Sequence, residues 1–164
     1  MSIFKWETMR ELGSRALTYE GHPPRPGKAY EVELTSGQKI RAWRADNGED
    51  YYCHGLTFGG KEAPGGLVSP FGDDIPTILR EHYQLVEKEA HARAGDILVW
   101  RGVEANDVIH SAILTDPVMA QGKDYLDYST RIQTKNGIEP ETSMTLQRLV
   151  EDYYGESYNI YRRK

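Results

Sequence analysis

Residues 96–115, DILVWRGVEANDVIHSAILT, contain two runs of β-forming side chains separated by a short polar segment. The runs DILVWR (96–101) and DVIHSAILT (107–115) are rich in branched and aromatic residues, which favour β-strands. A third run, LDYSTRIQT (126–134), follows them. Three consecutive short strands of this kind predict a mainly antiparallel sheet in this part of the chain.

The segments on either side of these strands predict helices and one hairpin. Trp6, Met9 and Leu12 recur at spacings of three, which predicts an N-terminal helix over residues 3–17. The other predicted elements are a hairpin from Tyr30 to Trp43, a short helix beginning near Cys53 with Asp50 as candidate N-cap, a long helix from Asp73 or Asp74 to about Glu89, a helix from Thr142 to Tyr154, and a last strand in SYNIYRR (157–163).

These elements predict an α+β fold in one domain spanning residues 1–164. Its parts are an N-terminal helix and hairpin (1–49), a central core that carries Cys53 and His110 (50–137), and a C-terminal helix and strand (138–164). With 38% hydrophobic residues in 164, the chain can bury one core without disulfides or a structural metal.

Charge and hydropathy exclude several classes of protein. A formal net charge of -5 argues against a nucleic-acid partner, for which clustered Lys and Arg are expected. No basic segment followed by an apolar one opens the chain, and no apolar run approaches the roughly 20 residues that span a bilayer. We therefore expect a protein that is cytoplasmic on synthesis, with no signal peptide and no membrane partner. Later release or delivery stays open.

Cys53 is the single cysteine of the chain, so it can form neither an internal disulfide nor a thiolate-rich zinc site. Most free cysteines are small buried hydrophobes. Cys53, however, lies in YYCHGLTFGG, between polar loops and glycines, at the predicted start of a helix. Amides there could stabilise a thiolate and the oxyanion formed in acyl transfer. These features indicate a catalytic nucleophile.

His110 interrupts the apolar strand VIHSAIL, where it shares a face with Ala112 and Leu114. A buried strand histidine usually makes a structural hydrogen bond, but Cys53 on a separate, earlier element gives it a possible partner. A thiol needs a base and a base needs an orienting group. Gln133, Thr134 and Asn136 on the next strand are all able to orient His110, and we favour Gln133.

Two further residues are candidates for the walls of a substrate groove. His54 follows the cysteine, and Trp100 ends a predicted strand just before a loop. A metal site built from His54, His82, His91 and His110 lacks both HExxH and an adjacent acidic cluster, so we expect neither a metal nor another cofactor.

Three motifs, taken in order, resemble the NlpC-type and CHAP-type branches of the papain-like cysteine hydrolases. CHGLTF (53–58) is similar to their cysteine-bearing helix start, RAGDILVW (93–100) to their Gly-Asp-led first strand, and DVIHSAIL (107–114) to their histidine strand. The resemblance covers residues 50–137, about half of the chain. It implies a papain-like core with a cysteine-bearing helix packed on the antiparallel sheet.

By position, the resemblance implies Cys53 as nucleophile, His110 as base and a group near Gln133 as the orienting residue. It also implies a metal-free hydrolase, a cysteine peptidase or amidase, that cleaves amide bonds in peptides or peptidoglycan-like substrates. The alternative is a non-hydrolytic protein of the same fold, either an acyltransferase or a binding module. His54 departs from the small residue that follows the cysteine in many relatives, and the APGG loop (63–66) is unlike the loops of cell-wall enzymes.

Overall fold

The computed structural model describes residues 2–19, 22–47, 52–102, 107–137 and 139–164. Its strands are β1 (Phe4–Ser14), β2 (Leu17–Tyr19), β3 (His22–Arg25), β4 (Gly27–Leu34), β5 (Lys39–Ala45), β6 (Ser69–Pro70), β7 (Tyr83–Val86), β8 (Ile97–Arg101), β9 (Val108–Asp116), β10 (Arg131–Thr134), β11 (Thr142–Thr145) and β12 (Tyr158–Arg163). Its helices are α1 (Cys53–Thr57), α2 (Ile75–His82) and α3 (Leu146–Leu149), and α3 continues as a π-helical turn (Val150–Tyr154).

The described strands form three sheets in which every pair is antiparallel. A four-stranded sheet has the order β1-β4-β5-β6, and a six-stranded sheet has the order β11-β10-β9-β8-β12-β7. β2 and β3 form a separate ribbon. The predicted α+β class with a mainly antiparallel sheet is therefore confirmed.

β8 lies inside the six-stranded sheet and is buried on both faces, which explains why ILVW (97–100) is apolar without interruption. On β8, Ile97 and Val99 pack with the four-stranded sheet, α2 and Phe58. Leu98 and Trp100 point to the other face and pack with residues of β9 to β12 and α3. The side chains of β8 therefore alternate between two cores, and the sheet separates them.

The predicted hairpin and the predicted strands around residues 96–115 are confirmed. β4 and β5 pair from Gly27↔Ala45 to Glu33↔Lys39, and Gly37 in their turn has φ 97°, which favours glycine. β8 and β9 match the first two predicted strands closely. The third predicted strand is shorter than expected, because only residues 131–134 of 126–134 form β10.

The predicted N-terminal helix is wrong, since residues 4–14 form β1. Lys5 pairs with Glu33 and Arg10 with Glu31, so β1 bulges out between these pairs. Thr8 secures the bulge, because its hydroxyl donates to Lys5 O at 2.7 Å and accepts from Glu33 N at 2.9 Å. The bulge lets Trp6 and Met9, three residues apart, both pack against the core. Helical spacing in this sequence therefore arises from an irregular strand.

Two other predicted helices are too long. Residues 142–145 form β11 alongside β10, and the helix begins only at Leu146, where Thr145 Oγ1 accepts from Arg148 N at 3.3 Å as an N-cap. α2 ends at His82, because Tyr83–Val86 leave the helix to pair with β12. No helix in the described part of the chain has the length and apolar character needed to cross a bilayer.

Burial in the six-stranded sheet predicts very different costs for two leucine truncations. Leu98 is fully buried, whereas Leu85 is 49% exposed. We expect Leu98→Ala to lower the free energy of unfolding by about 2–5 kcal/mol, because it removes buried methyl groups and leaves a cavity. Leu85→Ala, the matched control, should change it by about 0.5 kcal/mol or less. Urea unfolding of both variants measures this, and equal losses would contradict the packing described above.

Candidate active site

Cys53 is the first residue of the five-residue helix α1. The helix packs closely against Val68 and Ser69 because residue 55 is a glycine. A Cβ at Gly55 would come within 2.7 Å of Ser69 Oγ and 2.9 Å of Val68 O. Gly59, with φ 81°, follows the end of the helix. The residue before the helix is Tyr52, whose amide donates to Ser69 Oγ at 3.1 Å. The predicted N-cap, Asp50, lies outside the described residues.

The thiol of Cys53 is buried beside the imidazole of the next residue. Cys53 and His54 are each 6% exposed, and Cys53 Sγ lies 3.7 Å from His54 Nδ1. We expected His54 to line a groove or to be solvated, because neighbouring side chains on a helix diverge by about 100°. It does line the cleft described below, but its ring is held inside the protein against the thiol.

Burial and two imidazoles act in opposite directions on the thiol. Burial raises the pKa of Cys53, whereas the charge of His54, then that of His110, and hydrogen bonds from both rings lower it. The imidazoles prevail, so the pKa of Cys53 lies well below its ordinary value. Burial lowers the pKa of His54, but the charge of Cys53 more than compensates and leaves it raised. Both shifts favour a thiolate next to an imidazolium.

The protein determines which nitrogen of His54 carries the proton in the neutral ring. Nε2 lies 2.9 Å from Val108 O, and a carbonyl oxygen can only accept, so Nε2 must donate. Nδ1 then holds the lone pair of the neutral ring, which accepts from the Ser111 hydroxyl at 2.7 Å, and Cys53 Sγ lies 3.7 Å from the same nitrogen. When Nδ1 gains a proton, the Ser111 hydroxyl can turn and accept from it. His54 is therefore oriented as a base towards the thiol.

Hydrogen-bond partners also determine the tautomer of neutral His110. The Thr134 hydroxyl donates to Asn136 Oδ1 at 2.9 Å, so it accepts from His110 Nε2, also at 2.9 Å. The unprotonated nitrogen of neutral His110 is then Nδ1. Tyr154 stacks on the imidazole at 3.8 Å between centroids and 12° between planes, and its hydroxyl donates to Asn136 Oδ1 at 3.4 Å. Thr134, Asn136 and Tyr154 together hold the His110 ring in place.

The structure brings Cys53, His54 and His110 together, but it does not bring Gln133 to His110. On β10, Ile132 and Thr134 face the buried side, whereas Gln133 is half-buried beside Thr115 and Ser143 in a separate cavity. Thr134 occupies the orienting position that we assigned to Gln133. Side chains alternate along a strand, so Thr134 shares the buried face of the apolar Ile132 and Gln133 does not; this pattern distinguishes the two residues in the sequence.

Trp100 also differs from its predicted role. It is 1% exposed, its ring centroid lies 5.4 Å from that of His110, and its Nε1 donates to Gly155 O at 2.9 Å. Trp100 therefore packs behind the imidazole and does not line a groove. This position makes it part of the support for His110.

A cleft of about 560 Å³ opens onto Cys53 and His54. Its walls combine apolar side chains with a few polar groups: Leu17, Thr18, Trp43, Tyr52, Ser69, Pro70, Phe71, Gly72, Asp107, Val108 and Ile109. Asp107 is the acidic residue among these described walls, and no Lys or Arg is among them. A ligand of several heavy atoms could therefore reach the thiol through mostly apolar surroundings.

No three His, Cys, Asp or Glu side chains in the described ranges are grouped as metal ligands would be.

Sequence reasoning did not identify Ser111, Tyr154 or Asp107 as parts of the site. Ser111 could have been found, because it directly follows His110 in the middle of an apolar strand, and a polar side chain there is buried. Tyr154 could not, because it arrives from a π-helical turn whose geometry the sequence does not reveal.

Thr134 rather than Gln133 should control the tautomer of His110. We expect Thr134→Val, which keeps the shape but removes the hydroxyl, to convert a single Nε2–H tautomer into a mixture, because Nε2 loses its acceptor. Nitrogen-15 NMR of the imidazole ring measures this directly. Gln133→Leu is the control on the opposite face of β10 and should leave the tautomer unchanged. A response to the Gln133 variant alone would reverse the assignment.

The chain matches no protein-family model, no curated protein and no solved structure. The chemistry of the site therefore follows from its own atoms. Those atoms are a buried, ionisable thiol, two oriented imidazoles and an open cleft.

Proposed function

We propose that the protein is a cysteine-dependent hydrolase that cleaves amide bonds, with Cys53 as nucleophile and His110 as general base. The observation that carries the proposal is the thiol of Cys53, which has a lowered pKa and lies at the end of a cleft between two oriented imidazoles. A thiolate, and not a thiol, is the attacking species in acyl transfer. Burial alone would suppress the thiolate, so this arrangement favours a reactive role over a structural one.

The first half of the reaction acylates Cys53. The thiolate attacks the substrate carbonyl carbon, an S–C bond forms, and negative charge develops on the carbonyl oxygen. The first-turn amides of Cys53 and His54 have no intrahelical acceptor, and we assign them as donors to that oxygen. The C–N bond then breaks, and the leaving nitrogen takes a proton from an imidazolium of the site.

The second half of the reaction releases the acyl group to water. His110 Nδ1, unprotonated in the neutral ring, accepts a proton from water as its oxygen attacks the thioester carbon. The C–S bond breaks, the carboxylic acid leaves and the thiolate returns. The proton on His110 then passes, directly or through solvent, to the imidazole that protonated the leaving nitrogen, which restores the resting state. Thr134 accepts from Nε2 throughout at 2.9 Å and supports the positive charge that forms on the ring.

The order of the elements supports a papain-like core. A cysteine at the start of α1 comes first, β8 follows, and β9 carries the histidine. β10, which carries the orienting Thr134, lies next to β9 in the antiparallel sheet. α1 packs against β9, as expected if a helix presents the nucleophile to a base on a strand. We infer a relationship in architecture to such hydrolases and propose a peptide or peptidoglycan-like substrate.

Peptide hydrolysis tests the proposed function. We expect the wild-type protein to release fragments from a peptide library and a muropeptide mixture, as detected by mass spectrometry. Cys53→Ser should abolish release, and His110→Ala should slow it about 10²- to 10⁴-fold, because a positioned base is lost. Gln133→Leu is a control that should retain activity. If every peptide stays intact while the thiol reacts normally with iodoacetamide, hydrolysis is excluded. Faster transfer to an added amine would instead identify an acyltransferase.

Asp107 should bias the cleft towards cationic substrates. Its carboxylate lies in the cleft wall, and no described Lys or Arg forms an ion pair with it. We expect peptides with a Lys side chain or free amine near the scissile bond to be cleaved faster than matched acidic peptides. Asp107→Asn should reduce that preference about 2- to 5-fold, the value of a partly solvated ion pair. Unchanged ratios of kcat/KM would contradict this role.

A further inference from the structure

We propose that His54, and not His110, is the resting partner of the Cys53 thiolate, so that the two imidazoles of the site have separate tasks. His54 takes the thiol proton, and His110 keeps an unprotonated nitrogen for the steps that follow. This inference rests on the proposed function for its purpose, but the ion pair itself can be tested without any substrate.

The contacts of His54 make it a dedicated partner of the thiol. Its Nδ1 is 3.7 Å from Cys53 Sγ, and its Nε2 is committed to Val108 O at 2.9 Å. The ring cannot present its other nitrogen to the thiol without breaking that bond. When the S–H bond breaks and an N–H bond forms at Nδ1, the resulting imidazolium has acceptors on both sides, Val108 O and Ser111 Oγ. A buried imidazolium needs such partners.

His110 is supported differently. Its Nε2 donates to a neutral hydroxyl, that of Thr134, and one face of its ring is covered by the neutral ring of Tyr154. These contacts fix the position of the ring and carry no charge of their own, so the negative group that acts on His110 is the thiolate, which His54 contacts as well. An imidazole that must gain and lose protons during turnover is better placed in such surroundings.

The charged surroundings of His54 favour its protonated form. Two charged groups act on His54: Cys53 on α1, and Asp107 just before β9. The negative charge of each raises the pKa of His54. The charge of His110, on β9, also lowers the pKa of the Cys53 thiol. β10 packs on α1 as well, and Lys135, which follows it, directs its ammonium to Gly137 O at 3.0 Å. Among the described residues, the acidic groups whose charge acts on His54 are therefore the thiolate itself and Asp107.

The experiment is a comparison of iodoacetamide alkylation rates between pH 4 and 10 in wild type, His54→Gln and His110→Gln. We expect the wild-type midpoint well below the ordinary value of about 8.5. His54→Gln should move the midpoint upwards by at least one unit, which lowers the rate near pH 6 about tenfold or more. His110→Gln should keep a midpoint below about 8.5 while hydrolysis slows about 10²- to 10⁴-fold. If instead the midpoint rises to the ordinary value only in His110→Gln and stays low in His54→Gln, the proposal is overturned and the hydrolase function is left intact.

A second measurement uses the wild-type protein and so does not depend on the folding of a variant. Nitrogen-15 NMR near pH 7 should show His54 with both ring nitrogens protonated and His110 with Nε2 alone protonated. Blocking Cys53 as a mixed methyl disulfide removes the thiolate, and His54 should then lose its Nδ1 proton. A doubly protonated His110 beside a neutral His54 in the free protein would contradict the assignment. A thiol that resists alkylation at every pH would instead contradict the hydrolase proposal itself.

Discussion

The active site depends on an irregularity in β9. Trp100 pairs with His110 and Arg101 with Val108, so Ile109 is an extra residue on β9, a β-bulge. Beyond the bulge the strand resumes its alternation, which sends His110 towards Tyr154 and Ser111 towards α1. Val108, before the bulge, turns its carbonyl to His54. One strand therefore orients both imidazoles, and the sheet that buries it on both sides keeps them from moving apart.

Residues that depend on local pattern were predictable from the sequence. The branched and aromatic composition of β8 and β9 predicted these strands, and the Ser-Gly turn predicted the hairpin of β4 and β5. Cys53 stood out because it lies between polar loops and glycines and not in an apolar run, and His110 because it interrupts an apolar strand. Thr134 was among the candidates for the orienting group, and a strict reading of strand alternation from Ile132 would have selected it over Gln133.

Residues that depend on tertiary pairing were not predictable. The spacing of Trp6 and Met9 fits a helix as well as it fits a bulged strand, and only pairing with β4 decides between them. Thr142–Thr145 likewise become a strand because β10 has a free edge beside them. The inward turn of His54 follows from the acceptors that β9 supplies, which no local rule places next to α1. In each case a long-range hydrogen bond overrides local preference.

β12 has a consequence for how the protein is made. It is inserted between β8 and β7, and within the described chain it is the partner that joins β7 to the sheet. Its Arg162 also forms two hydrogen bonds with the buried Asp96, at 2.9 and 2.8 Å, just before β8 begins. During synthesis, β7 and β8 leave the ribosome long before β12 does. The nascent chain therefore carries two unpaired strand edges, and the sheet that supports His110 closes only when residues 158–163 emerge.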